Sequence, residues 1–338
     1  MDFINNDAAT IPDIGDVRSS GHALESYALA DAGMAPNWIE LKHFGVFSAW
    51  GGNVLYANGR QQLKLIVVVQ AVGSDYKVVK LSREEVESIH LVDAYTGTAL
   101  PIDTIHEGER ASWKCSLARN ERFQPFPYSG DLRGPDTRGK DTVLREFFVS
   151  SNSLEPIKLV AAITRSDGRM FYSQDAAEYG HISLNTVPPA IYRKEQFRLN
   201  RSSVYLPATQ NVAKVDRYVL DLILEQRHLK FVECNMPYKL QARSNHPDYL
   251  GYYVVPYFNG GKVESEIWAA WETADHVAAS DDESGKMIVL LHFAKKGGRG
   301  QVRSDSLQAK VYLRDMYGNQ HVLSLMLNTA GPTIVEII

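Results

Sequence analysis

Residues 59–89 read GRQQLKLIVVVQAVGSDYKVVKLSREEVESI, and this stretch decides the fold class. Leu63, Leu65 and Val67 alternate with Lys64 and Ile66, the pattern of a strand with one buried face. Val68, Val69 and Ala71 make its second half apolar throughout, which predicts cover on both sides. Gly73-Ser74-Asp75 turns the chain, and Tyr76–Leu81 is read as the return strand. Ser82 is followed three residues later by Glu85, the spacing at which each side chain satisfies the other residue's free backbone N–H. Val86 and Ile89 share one side of that turn, so a short helix is expected to cross between strands. Upstream, Val54–Ala57 reads as a strand closed by Asn58-Gly59, the dipeptide best suited to a tight two-residue hairpin.

Working outward, the same cadence returns twice. IKLVAAITRSDGRMFYS starts at Ile157, and AKVYLRDMYGNQHVLSL starts at Ala309. Each is a long alternating strand, a turn built from Asp, Gly or Asn, and a return strand. Such hairpins arise by internal repetition or by convergence on a common antiparallel form. Val215–Leu224 fits a helix or a strand, and its strand-like neighbours favour the strand. Pro256 interrupts Gly251–Phe258, which predicts an edge or a bulge, because proline lacks the N–H that a ladder needs.

These patterns predict a mainly β protein of two or three antiparallel β-sandwich units, immunoglobulin-like or jelly-roll-like, with a few short helices. The expected divisions are an N-terminal arm at 1–42, a first sandwich at 43–128, a linker at 129–142, a second sandwich at 143–240 and a third β-rich unit at 241–338. The linker, SGDLRGPDTRGKDT, holds three Gly, one Pro and six charges. Polar, breaker-rich stretches of this kind mark boundaries.

Composition excludes several classes. The chain has 338 residues, 44% hydrophobic, so it has material for more than one core. Net charge is −4, from 36 Lys+Arg against 40 Asp+Glu, without the basic excess of a nucleic-acid binder. No stretch approaches the roughly 20 apolar residues of a membrane-spanning helix. Residues 1–20 lack the basic and apolar regions of a Sec signal, so the expected setting is cytoplasmic, particle-associated or reached by a non-Sec route. Cys115 and Cys234 are too few and too scattered for a disulfide scaffold or a zinc site, and two buried free thiols are expected.

No stretch carries an enzyme motif. Gly134–Lys140 fits the first part of a phosphate-binding loop, but Asp141 stands where Ser or Thr is needed, and no apolar strand precedes it. No catalytic residue and no cofactor is assigned. Cys115 is a nucleophile candidate that no neighbouring motif supports. Asp281, Asp282 and Glu283 cluster carboxylates suited to Ca²⁺ without the spacing of a calcium loop. Tyr249, Tyr252 and Tyr253 beside Asp248, and separately Trp268 and Trp271, are the candidate binding aromatics, suited to stacking on a glycan or to packing in a core. The expectation is a non-enzymatic structural or interaction protein of a bacterial or viral (phage-like) assembly or surface-adhesion system, with protein partners or self-assembly. The alternatives are a carbohydrate- or receptor-binding protein or toxin-targeting component, and a hydrolase whose residues converge only in space.

Overall fold

The computed structural model describes residues 36–49, 51–102, 113–126, 141–175, 179–204, 212–238, 240–258, 284–296, 305–330 and 332–338. All belong to one compact unit, Pro36–Ile338. In chain order the elements are β1 (Glu40–Ser48), β2 (Val54–Tyr56), β3 (Leu63–Val72), β4 (Val78–Val79), α1 (Arg83–Ser88), β5 (His90–Asp93), β6 (Trp113–Ser116), β7 (Val143–Ser151), β8 (Ile157–Thr164), β9 (Met170–Tyr172) and β10 (Ile182–Val187). There follow β11 (Phe197–Val204), β12 (Val212–Leu224), β13 (Arg227–Leu229), β14 (Phe231–Asn235), β15 (Gln241–Arg243), β16 (Tyr249–Phe258), β17 (Met287–Lys295), β18 (Gln308–Asp315), β19 (Gln320–Asn328) and β20 (Ile334–Ile337). The protein is mainly β, as its hairpin cadence predicts.

Four sheets result. The first has the order β1-β3-β7-β6 with β4 on β3, and the second β2-β10-β8-β5 with β9 on β8. The third is β11-β12-β17-β16-β15 with β13 on β12, and the fourth β14-β18-β19-β20. One core takes Val46, Leu65, Val67, Phe147 and Val149 from the first sheet and Leu91, Leu159, Ile163 and Leu184 from the second. The other takes Leu220, Val254, Val289 and Leu291 from the third sheet and Val311, Leu313, Leu325 and Leu327 from the fourth. Each core therefore unites one face of two sheets, the arrangement that alternating strands favour.

The opening stretch keeps its long strand and its helix, but the return strand expected at Tyr76–Leu81 shrinks to the two residues of β4, Val78–Val79. Every residue of β3 from Val67 onward is buried, and β3 lies inside its sheet between β1 and β7. Ser82 and Glu85 complete the capping box of α1. Buried Glu85 does more, accepting from the Trp38 Nε1–H at 2.8 Å and the Ser166 N–H at 3.1 Å. Trp38 is itself fully buried, with the Arg165 guanidinium 5.2 Å from its ring. One carboxylate thus ties the chain before β1 to the helix and to the turn after β8. Burying an acidic group is tolerable when its oxygens are filled in this way.

Val212–Leu224 is a single strand, β12, in the middle of its sheet. Pro256 lies in β16 opposite Val289 of β17. Two residues earlier, the Val254 N–H reaches Leu240 O on the other side of the strand. Alternation puts the donor that Pro256 lacks on that same side, where the short β15 ladder ends. The ladder loses nothing there.

Asn58-Gly59 does not make the expected hairpin. β2 leaves β3 and pairs in parallel with β10 in the other sheet. The reason is local: Asn58 Oδ1 accepts from the N–H groups of Arg60 and Gln61 at 3.0 and 2.9 Å. That side-chain turn redirects the backbone. Strand pairing also crosses the expected linker, since β7 lies against β3 from Leu63↔Val149 to Val69↔Val143. Similarly, β12 pairs with β17 across position 240. Residues 129–140 and the 1–35 part of the expected arm lie outside the described residues, as does the phosphate-loop-like Gly134–Lys140. Among the described residues no helix is long and apolar enough to cross a membrane.

Leu65→Ala, at a fully buried site, is expected to cost about 3 kcal/mol through lost burial plus an unfilled cavity. Leu117→Ala, at a half-exposed site, is expected to stay within about 0.5 kcal/mol. Urea unfolding of both variants measures the difference.

Candidate functional site

A dense polar and aromatic grouping lies on the β18–β19 turn, where the first half of the chain meets the second. Residues 315–319 read Asp-Met-Tyr-Gly-Asn. Asp315 is fully buried, and its oxygens accept from the Tyr317 and Asn319 N–H groups, both at 2.9 Å, and from Asn319 Nδ2 at 3.1 Å. His321 Nε2 sits 3.2 Å from the same carboxylate. Short polar side chains fold back on turns readily, and this one locks a four-residue connection, residues 316–319. Gly318 is needed at its place twice over. Its φ is +88°, and a Cβ there would lie 2.9 Å from the Cβ of Arg60 in the first half of the chain.

The first half grips this turn. Asn58 Nδ2 donates to Tyr317 O at 2.9 Å and to Asn319 Oδ1 at 3.0 Å. The Gln124 N–H donates to Met316 O at 2.7 Å. Arg122 pairs with Glu233 of β14, whose second oxygen is held by Arg314 of β18. A cleft of about 270 Å³ opens beside this seam, lined by Arg122, Gln124, Lys230, Phe231, Ser284 and Met316 among others.

Aromatic rings frame the other side. Tyr56 packs 5.1 Å from Phe126 and 6.2 Å from Tyr317, while Tyr192 lies 4.9 Å from the His321 ring. Burial, reinforced by the Asp315 charge, raises the pKa of the Tyr56, Tyr192 and Tyr317 phenols, so they stay neutral donors. The arrangement is suited to holding two units together and to presenting aromatic faces. Asp315 with His321 has the look of an acid–base pair, but the turn already occupies both oxygens of the carboxylate.

The aromatics singled out in the sequence fall elsewhere. Tyr249 and Tyr252 would sit on opposite faces of an unbroken strand. A register shift between Tyr249 and Gly251 brings them together, 6.3 Å apart, and each lies 5.3 Å from Phe293. Tyr252 is buried and accepts from Ser244 Oγ at 2.8 Å, while Tyr249 stacks on His246 at 4.6 Å. Tyr253 points to the other face, stacked 4.7 Å from His292. Trp268, Trp271, Asp281, Asp282 and Glu283 lie outside the described residues. Among the described residues no group of three or more His, Cys, Asp or Glu side chains is placed to hold a metal. Cys115 and Cys234 are both free and buried, and burial pushes each thiol up to about 12, far from the thiolate a nucleophile needs.

The seam cluster carries a faint sequence signal. Asp315 to Asn319 reads plainly as a turn, and Asn58-Gly59 does too. That the two turns grip one another depends on residues more than 250 positions apart.

No protein-family model matches the chain. No curated protein matches it either. Among solved structures it is similar to the surface layer protein SbsC, domains 1-6, at 10% identity and a TM-score of 0.26, over 90% of this chain. The chain spans 37% of the length of that structure. It is also similar to SbsC domains 4 and 5, at 8% identity and a TM-score of 0.20, over 85% of this chain and 98% of that one. A third is the Streptococcus agalactiae AgI/II polypeptide BspA C terminal domain, at 12% identity and a TM-score of 0.22, over 86% of this chain and 96% of that one.

His292 provides a pH test of the third sheet. It is 1% exposed, among Val215, Ile288 and Leu290, and neither ring nitrogen has a hydrogen-bond partner among the described residues. Burial lowers its pKa from 6.5 to about 4. The folded state therefore resists a proton that the unfolded chain accepts near 6.5. Stability is full above that pH, falls as pH drops from 6.5 to about 4, and levels below, a loss of about 3 kcal/mol. Urea unfolding at successive pH values should show this slope in the wild type and a flatter one in His292→Phe.

Proposed function

We propose that the protein is a structural and interaction component of a bacterial or viral assembly, or of a surface-adhesion system, built to hold two β-sandwich units in fixed relation. The observation that carries this reading is the seam. Flexible linkers leave units free to reorient, because few contacts cross them. Here Asn58, Gln124 and Arg122 reach across to Tyr317, Asn319, Met316 and Glu233, and Gly318 lets the backbones approach closely. A spacer or scaffold needs this rigidity, and its partners are other proteins or further copies of itself. Recognition falls to the loops and edges that the joined units support.

The test is the double variant Asn58→Ala/Arg122→Ala. It removes two hydrogen bonds and one ion pair across the seam, and the expected cost is about 2 kcal/mol in urea unfolding. Small-angle scattering should show a single compact envelope for the wild type and a broader distance distribution for the variant. Light scattering across a concentration series, or cross-linking in the native source, should find self-association or a protein partner that the variant engages less well. Turnover of a substrate, abolished by Asp315→Asn in a chain that unfolds at the wild-type urea concentration, would falsify the reading.

A further inference from the structure

We propose that β11, Phe197–Val204, is an association edge on which a second copy of this chain adds its own β11, joining the two third sheets across a two-fold axis. The inference deepens the self-association part of the scaffold reading and rests on it.

The place of β11 is the first reason. It ends the third sheet and pairs with β12 from Phe197↔Leu222 to Val204↔Val215, with no break in register. The other outer strands are short or covered. β2, β4, β9, β13 and β20 run four residues or fewer. The Val46 N–H of β1 donates to Tyr179 O at 2.8 Å, and the Cys115 N–H of β6 to Pro101 O at 3.1 Å. Leu91 of β5 accepts from the Leu100 N–H, the Phe231 N–H of β14 donates to Gly285 O, and Gln241 of β15 exchanges bonds with Ser306. Proteins blunt open edges with proline, a bulge or a core-facing charge. β11 has no proline and no bulge, and its core-facing Arg201 is spent on the buried Asp216 of β12.

The direction of the backbone groups is the second reason. Glu225 and Gln226 make a two-residue turn, so Leu224↔Arg227 closes the β12–β13 hairpin as a hydrogen-bonded pair. Leu222 pairs with Leu229 of β13 and with Phe197 of β11, so those two strands lie on opposite sides of β12. Successive residues alternate between the sides. Even-numbered residues of β12 therefore point toward β13, and Val219 and Asp221 point toward β11, where they meet Asn200 and Arg198. That leaves Phe197, Leu199 and Arg201 with their N–H and C=O groups aimed outward. None of the three has a backbone partner on that side among the described residues.

The residues then select the partner. In an antiparallel pairing centred on Leu199, that side chain meets its copy, Phe197 stands opposite Arg201, and Arg198 stands opposite Asn200. The three outward pairs, 199 with 199 and 197 with 201 twice, exchange two hydrogen bonds each. Leu199 is half-buried at the rim of the larger core, and the copy covers what remains. No like charges stand opposite. Centred on Arg201 instead, the pairing would set that guanidinium against its copy, which is unfavourable. A two-fold contact uses both edges and leaves neither open.

Sedimentation equilibrium on the full chain, from about 1 to about 500 micromolar, tests the proposal, because so small an interface is expected to associate weakly. A monomer–dimer equilibrium is expected. Asn200 is exposed, so its substitution spares the core. Asn200→Glu, facing Arg198 of the copy twice, should tighten the dimer about fivefold, and Asn200→Lys should weaken it about fivefold. Leu199→Pro removes only an outward N–H and should weaken it about tenfold or more. Single-residue hydrogen exchange should slow at the Leu199 and Arg201 amides as concentration rises, and stay unchanged at Arg198 and Asn200. A folded chain that is monomeric at every concentration overturns the proposal. So does a dimer indifferent to both Asn200 substitutions, or cross-linking of β11 in the native source to a different protein in place of its copy. None of these results bears on the seam, whose rigidity is read by scattering from the monomer.

Discussion

The Asp315 carboxylate is the constraint around which the two halves of this protein are arranged. It is fully buried, and it is affordable there only because the turn's own N–H groups, the Asn319 amide and His321 fill its oxygens. Filling them fixes the β18–β19 turn. A fixed turn then presents Tyr317 O and the Asn319 amide oxygen to Asn58 of the other half. The geometry of the seam follows from the need to satisfy one buried charge.

Glu85 plays a similar part within the first sandwich. Its spacing from Ser82 makes it a helix cap, and its burial makes it an anchor for Trp38 and Ser166. Both sandwiches are therefore closed by apolar strand faces and pinned by one acidic side chain whose acceptors are fully used. Apolar burial is roughly proportional to area and nondirectional. The hydrogen-bonded acids add the direction that area lacks, fixing Trp38, α1 and the turn after β8 in one half and the β18–β19 turn in the other.

Much of the architecture was legible in the residues themselves. The alternation of Leu63 to Val67, the continuous apolar run after it, the Ser82–Glu85 cap and the Asp167-Gly168 and Gly318 turns all act over a few positions, so local chemistry suffices to read them. Val215–Leu224 fitted a helix as well as a strand, and only its strand-like neighbours favoured the strand that β12 forms. Pairings with partners distant in sequence were not legible in the residues. Asn58-Gly59 has the residues of a hairpin, yet the Asn58 side chain turns the backbone aside and reaches Tyr317. The breaker-rich 129–142 stretch has the composition of a linker, yet the strand after it, β7, returns to β3. Composition marks where a chain leaves a sheet and does not say where it comes back.

The aromatic surface teaches the same lesson. Tyr249, Tyr252 and Tyr253 are adjacent in sequence, but a strand sends neighbours to opposite faces, and only a bulge reunites Tyr249 with Tyr252. Tyr56, Tyr192 and Tyr317 are dispersed, and the seam gathers them. By itself the sequence determined the β class, the strand faces, the helix cap and the turn positions, because each depends on periodicity or on hydrogen bonds a few residues long. Only the tertiary structure decided which strands share a sheet, how the two sandwiches are joined and which tyrosines meet. Those depend on burying particular polar groups against partners more than a hundred residues away, and the energy of such a contact is absent until both sides are in place.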